Sequence, residues 1–177
     1  MTKLSRVQQK FILHWGEMGT RWGINRTVAQ IHALLFISPR PLNAEEISDS
    51  LVVARSNVSN SLKELQGWGI VKRVHVMGDS RDHFASMKDV WEMFRVVLDE
   101  RKKREIDPTE RMLRECIAEA EKDKETDEYT EQKLRELAAF FDTTTAWYGQ
   151  IRQWPAGALT RFVKGGDKIR KLLGIGG

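Results

Sequence analysis

The sequence predicts a mainly α-helical chain with a small β-hairpin wing, a winged helix-turn-helix that carries additional N- and C-terminal helices. Three observations predict it. Asn43-Ala44-Glu45-Glu46 has the form of a capping box, in which an Asn oxygen takes an orphan helix N–H and a Glu three residues on reaches back. After a brief turn at Val52 to Ala54, RSNVSNSLKELQGWG reads as a second short helix closed by Gly67 and Gly69. IVKRVHV and RDHFAS then alternate as strands do, and Met77-Gly78-Asp79-Ser80 between them has the small polar residues of a hairpin connection.

The flanking elements follow from periodicity and punctuation. Val7, Phe11, Trp15, Met18 and Trp22 recur at near-helical spacing, which predicts a first helix from about Leu4 to Met18 whose apolar stripe faces a core. Gly23 interrupts the pattern. Asn25 or Thr27 opens a second helix with Val28, Ile31, Leu34 and Leu35 on its apolar face, and Ser38-Pro39-Arg40-Pro41 stops it. From about Lys88 a long helix is expected to end before Pro108, because proline disfavours helical geometry in the residue ahead of it. Asp107-Pro108-Thr109-Glu110 restarts a helix with a cap, a proline in the first turn and an early acid.

Glu119 to Glu131 is a charged connection. The helix beyond it carries Leu134, Leu137, Ala138 and Phe141, then Trp147, Tyr148 and Trp154 before Pro155, more apolar surface than a solvated helix requires. A tail with Ile169, Leu172 and Leu173 follows Gly165-Gly166 and is read as docking only against a partner. The expected organisation is an N-terminal helix over 1–22, the winged unit over 23–88 and a helical dimerisation region over 89–177.

Composition narrows the function. Residues 1–88 carry twelve Lys/Arg against seven Asp/Glu, whereas 89–154 carry twelve against seventeen, so the positive charge is concentrated where the winged unit lies. That fits an N-terminal half facing phosphates, without telling DNA from RNA. The single Cys116 allows no internal disulfide and sits in an apolar helical pattern as a small hydrophobe. No stretch approaches the roughly 20 apolar residues that span a bilayer, so a cytoplasmic protein with no membrane partner is expected. His75 and His83 could face each other across the hairpin as half a metal site, but no third ligand is evident, and no metal or other cofactor is expected. His14 and His32 read as ordinary surface or partly buried residues. No nucleophile–base pair, phosphate loop or paired-carboxylate motif rises above chance, so no enzyme is expected.

On the second short helix, Val58, Leu62 and Leu65 share one face and anchor it. The opposite face presents Ser56, Asn60 and Lys63, with Asn57 and Ser59 on its flanks and Arg55 at its leading end. Such a short, mostly uncharged polar face suits a DNA major groove: long carboxylates would repel phosphates, whereas Asn57 and Asn60 can pair bidentately with adenine edges. Arg55 could take a guanine or a phosphate, and Lys63 is assigned to a phosphate. Arg81, near the hairpin tip between Asp79 and Asp82, suits a narrow minor groove, and Asp79 could either hold it in position or neutralise it.

LNAEEISDSLVVARSNVSNSLKELQGWGIVKRV, followed by GDSRDHFASMKDVWEMFR and the RKKREIDP segment, resembles the MarR superfamily, and most closely its GbsR branch. The resemblance implies a dimeric transcription regulator on double-stranded DNA, terminal helices that form the homodimer interface, and a small-molecule effector. By it, Arg55, Ser56, Asn57, Ser59 and Asn60 match DNA-contacting positions and Arg81 the wing-tip arginine. Two positions depart from the pattern: Ala54 stands where Ser is common and cannot cap with its side chain, and Val52 stands where Gly is common. Either change could loosen the reading helix or shift its cap to Ser56, which leaves its exact start open.

The GbsR branch is similar to regulators of osmoprotectant genes, which implies a repressor responding to a quaternary ammonium such as choline. An aromatic box of Phe11, Trp15, Trp22 and Trp91 would be its physical means, set against plain core packing of the same side chains. The alternative function is a winged-helix module that binds protein and not DNA.

Overall fold

The computed structural model describes residues 4–166, so the tail residues Ile169, Leu172 and Leu173 lie outside the described residues. The chain forms two compact units, divided between Val97 and Leu98.

The first unit is a winged helix. Its elements are α1 (Arg6–Arg21), α2 (Arg26–Ile37), β1 (Leu42–Asn43), α3 (Ala44–Leu51), α4 (Arg55–Gly67), β2 (Val71–Val76) and β3 (Asp79–Ser86), followed by the start of α5 (Val90–Arg101). α2 is the central helix. Val28, Ala29, Ile31, His32, Ala33, Leu34 and Leu35 are all buried, so it is covered on nearly every side and not only along one stripe. Ile47 of α3 and Val58, Leu62 and Leu65 of α4 close the core against it.

α1 turns inward a face that overlaps the predicted stripe but is centred beside it, with Phe11 and Trp15 packed half-buried against the core. Val7 is 78% exposed, whereas Ile12, Gly16 and Gly19 are buried. The two glycines let α1 approach α2 closely. A Cβ at Gly19 would stand 2.5 Å from that of Ala29, and one at Gly16 2.6 Å from Gln30 Cγ. The helix starts at a capping box, with Ser5 Oγ accepting from Gln8 N–H and the Gln8 side chain accepting from Ser5 N–H.

The wing is part of a three-stranded antiparallel sheet in the order β1-β3-β2, one strand more than the sequence predicts. β1 is only Leu42–Asn43, too short for alternation to show, and it pairs with Phe84 and His83. The hairpin closes through Met77 and Gly78 alone, with Gly78 at φ 82°, a conformation that suits glycine. Val74 lies opposite His83, and the register shifts between Val74 and Val76, so His75 does not stand across from His83. The two histidines do not come together, since His83 is buried and His75 exposed; among the described residues no group of three or more His, Cys, Asp and Glu is placed to hold a metal ion.

The hairpin is tied back to α2 by Lys88. Its ammonium donates to the carbonyl oxygens of Leu35, Phe36 and Ser38 at 2.8, 2.7 and 2.9 Å, satisfying the orphan acceptors of the helix end.

The second unit is helical. The chain does not break before Pro108; it continues from α5 through one π-helical stretch, Lys102–Ile106, into α6 (Asp107–Ala120). Pro108 sits in the first turn of α6, where its missing N–H costs little, and Asp107 pairs with Lys102 where the sequence suggested a cap. α7 (Glu128–Arg152) and α8 (Ala156–Lys164) follow. α7 buries no residue along its 25 positions and leaves Leu137, Phe140 and Trp147 about half exposed or more. Cys116 of α6 is half-buried rather than buried. No helix among the described residues is long and apolar enough to cross a membrane.

Candidate nucleic-acid interface

The two short helices of the helix-turn-helix are fixed at their termini before any side chain on their outer face matters. Asn43 Oδ1 accepts from Glu46 N–H at 2.9 Å and Glu46 Oε2 accepts from Asn43 N–H at 3.0 Å, the reciprocal box that the sequence predicts. Arg40 holds the same Glu46 at 2.6 Å and keeps its carboxyl below the usual carboxylate range. α3 ends at Val52, which adopts φ 54° and ψ 48°. This is the left-handed region, and Val52 is the single non-glycine residue there among those described.

α4 begins at Arg55, with Ala54 in the cap position at extended geometry and no side-chain cap bond. The shift of the cap to Ser56 does not occur. Val58, Leu62 and Leu65 are at most 2% exposed, and Ser61 is buried beside them. Arg55, Ser56, Asn57, Ser59, Asn60 and Lys63 are all exposed on the outer side, as the face analysis predicts. A cleft of about 490 Å³ runs between α4 and the wing, lined by Arg55, Ser59, Lys63, Arg73 and Arg81 among others.

Asp79 ion-pairs with Arg81, which both positions the guanidinium and pairs its charge. Its carboxylate accepts the backbone N–H of Arg81 at 3.0 Å and the guanidinium Nη2 at 2.6 Å, which holds Arg81 against deprotonation and Asp79 well below the usual carboxylate range. One further residue is brought in that sequence reasoning missed. Glu45 of α3 receives Arg55 through one oxygen and Arg81 through the other, the latter at 3.4 Å, so a single carboxylate links α4 to the wing. It was legible only as an early acid of α3, since its two partners lie 10 and 36 residues away.

The aromatic residues separate. Trp15 and Trp22 line one cavity of the first unit, together with Trp68 and His32; Phe11 and Trp91 are not among its lining residues. Phe11 instead lies 5.5 Å from Trp15, ring centre to ring centre, and Trp91 makes an edge contact with Phe94 at 6.4 Å. His32 is buried at 6% exposure and not at the surface. Burial first, and the charge of Lys88 second, push its imidazole down to about 4, so it is neutral at pH 7.

This helix order, sheet and spacing of α2 through β3 decide the comparison. Residues 22–82 match the MarR family. The MarR-like segment thus runs from the end of α1 into β3 and contains α3, the strained turn and all of α4. A solved structure described as "Crystal Structure of a transcriptional regulator" is similar over 82% of this chain and 95% of its own, with a TM-score of 0.57 and 17% identity. That likeness is one of fold. It extends the comparison beyond the MarR-like segment to most of the chain. No match was found among curated proteins.

Proposed function

We propose that this chain is a DNA-binding transcriptional regulator, a ligand-responsive repressor that grips a pseudo-palindromic operator as a homodimer. The observation that carries the reading is α4 itself: one side is locked into the core by Val58, Leu62 and Leu65, and the other exposes Arg55, Ser56, Asn57, Ser59, Asn60 and Lys63. The match of residues 22–82 to the MarR family and the fold of the solved regulator support it. In this reading Asn57 and Asn60 read base edges, Lys63 takes a phosphate, and Arg81 enters the adjacent minor groove. Residues 23–88 form the DNA-binding domain, 1–22 join it to the dimer interface, and 89–177 form the dimerisation region. The unburied apolar residues of α7, Phe140 and Trp147 above all, support a partner subunit there. Two half-site contacts then share one association cost, and occupancy of the operator blocks promoter access.

An osmoprotectant role would need a quaternary ammonium in an aromatic box. Trp15 and Trp22 share a cavity, but no carboxylate lines it, so that role rests on the resemblance alone. One observation favours a second reading, a protein-binding winged helix: in the free chain Arg55 and Arg81 are both engaged by Glu45 and Asp79. A salt-titrated gel shift with genomic fragments near the protein's own gene separates the two. A saturable complex that weakens steeply with salt is expected. Absence of any saturable complex at low salt, with or without candidate ligands, would favour the protein-binding reading instead.

A further inference from the structure

Arg81 offers its guanidinium to two different carboxylates. Asp79, two residues back in the same hairpin, takes Nε at 2.9 Å, Nη2 at 2.6 Å and the backbone N–H, which fixes where the side chain points. Glu45, from α3, takes Nη1 at 3.4 Å, and its other oxygen receives Nη2 of Arg55 at the start of α4. Glu45 is itself firmly placed. Its neighbour Glu46 is held by Arg40 and by the capping box with Asn43, so the first turn of α3 presents Glu45 outward. The Glu45 carboxylate lines the cleft between α4 and the wing, together with Ser59, Lys63 and Arg73, and is nearly half exposed.

We propose that Glu45 is an internal competitor for phosphate: in the free chain its carboxylate fills the position between Arg55 and Arg81 that a backbone phosphate of DNA would take. The inference rests on the DNA-binding reading. Carboxylate and phosphate share the geometry that a guanidinium recognises, oxygens meeting a planar fork of N–H donors, so two arginines that converge on one can converge on the other. Positioning is not what Glu45 adds to Arg81, because Asp79 already holds that side chain through both guanidinium and backbone donors. What Glu45 adds is charge. The two arginines and the two acids, Glu45 and Asp79, balance; without the Glu45 charge the group carries one net positive charge. These pairs are solvated, and exposed pairs are weak, so a polyanion can displace the carboxylate. Displacement leaves Glu45 unpaired beside phosphates, a like-charge contact that lowers affinity for DNA of any sequence.

Fluorescence anisotropy of the full chain on a random-sequence duplex, titrated at several salt concentrations, tests the proposal. Glu45→Gln keeps the shape and removes the charge. It should steepen the logarithmic salt slope by about one unit, which amounts to roughly eightfold tighter binding at 0.1 M salt when the two chains bind equally at 1 M. Asp49→Asn is the control. Asp49 is exposed one turn further along α3 and pairs with no arginine among the described residues, so its loss should change affinity by less than about twofold. Both positions are exposed, so neither substitution disturbs the core. An unchanged slope in Glu45→Gln, weaker binding by that variant, or an equal gain in Asp49→Asn overturns the proposal. The random duplex does not probe base reading, which stands or falls with the exposed face of α4. Wild-type binding with no gain in Glu45→Gln therefore sinks the phosphate competitor alone, whereas no binding by any of the three chains sinks the DNA-binding reading with it.

Discussion

Val52→Gly should stabilise the protein, although it removes a hydrophobic side chain from a helix-turn-helix. Val52 ends α3 at φ 54° and ψ 48°, where an L-residue pays about 1–2 kcal/mol and a β-branched one lies at the upper end. Its side chain is 91% exposed, so deleting it forfeits almost no packing. Glycine loses more unfolded-state entropy on folding, which offsets about 0.4–1 kcal/mol of the gain. The net is about 1–1.6 kcal/mol in favour of the variant. For a domain near the upper end of 60–100 residues that is about 4–8 °C in melting temperature. Urea and thermal unfolding followed by far-UV circular dichroism would measure it, with Val52→Ala as the control. Alanine remains an L-residue at positive φ and should gain much less. A glycine variant less stable than the wild type, or an alanine variant stabilised as much as the glycine one, would refute the strain assignment.

Three further outcomes are expected. Lys88→Met leaves three carbonyl oxygens at the end of α2 without their ammonium; with the side chain partly solvated, chemical denaturation should show a loss of about 1–2 kcal/mol. His32 is pushed down to about 4 while the unfolded chain keeps the ordinary 6.5, so the unfolded state binds the extra proton between those values. Its contribution is therefore complete above pH 6.5 and falls away by about 3 kcal/mol as the pH drops to 4; denaturation of wild type against His32→Leu should show that part of the slope vanish in the variant. Arg81→Ala should weaken DNA binding and make its logarithmic salt dependence shallower by about one unit, whereas an unchanged slope would mean that Asp79 and Glu45 keep the guanidinium occupied in the complex.

Most of the winged unit was legible because its signals are local. The Asn43–Glu46 box, the three-sided core face of Val58, Leu62 and Leu65, and the departure at Val52 are each read within one or two helical turns. What escaped depends on distant partners or on shape. β1 is two residues long and exists only because β3 offers an edge. The inward face of α1 is set by Gly16 and Gly19, which carry no hydrophobic signal and matter through the closeness of α2. The sequence predicts a stop before Pro108, yet a π-helical stretch precedes it and the helix runs on. Within the candidate interface, the exposed polar residues of α4 were visible from helical phase, whereas the Glu45 link required residues far apart in sequence to meet.

The central claim, that α4 reads DNA sequence through its exposed face, is tested most directly by Asn60→Ala on two DNAs, the genomic fragment bound in the gel shift and random sequence of equal length. Asn60 is exposed at the middle of that face and contributes nothing to the core, so the fold should be unchanged. The account expects operator affinity to fall by about 1–3 kcal/mol while affinity for random DNA stays nearly constant. Equal losses on both DNAs would contradict base reading by α4.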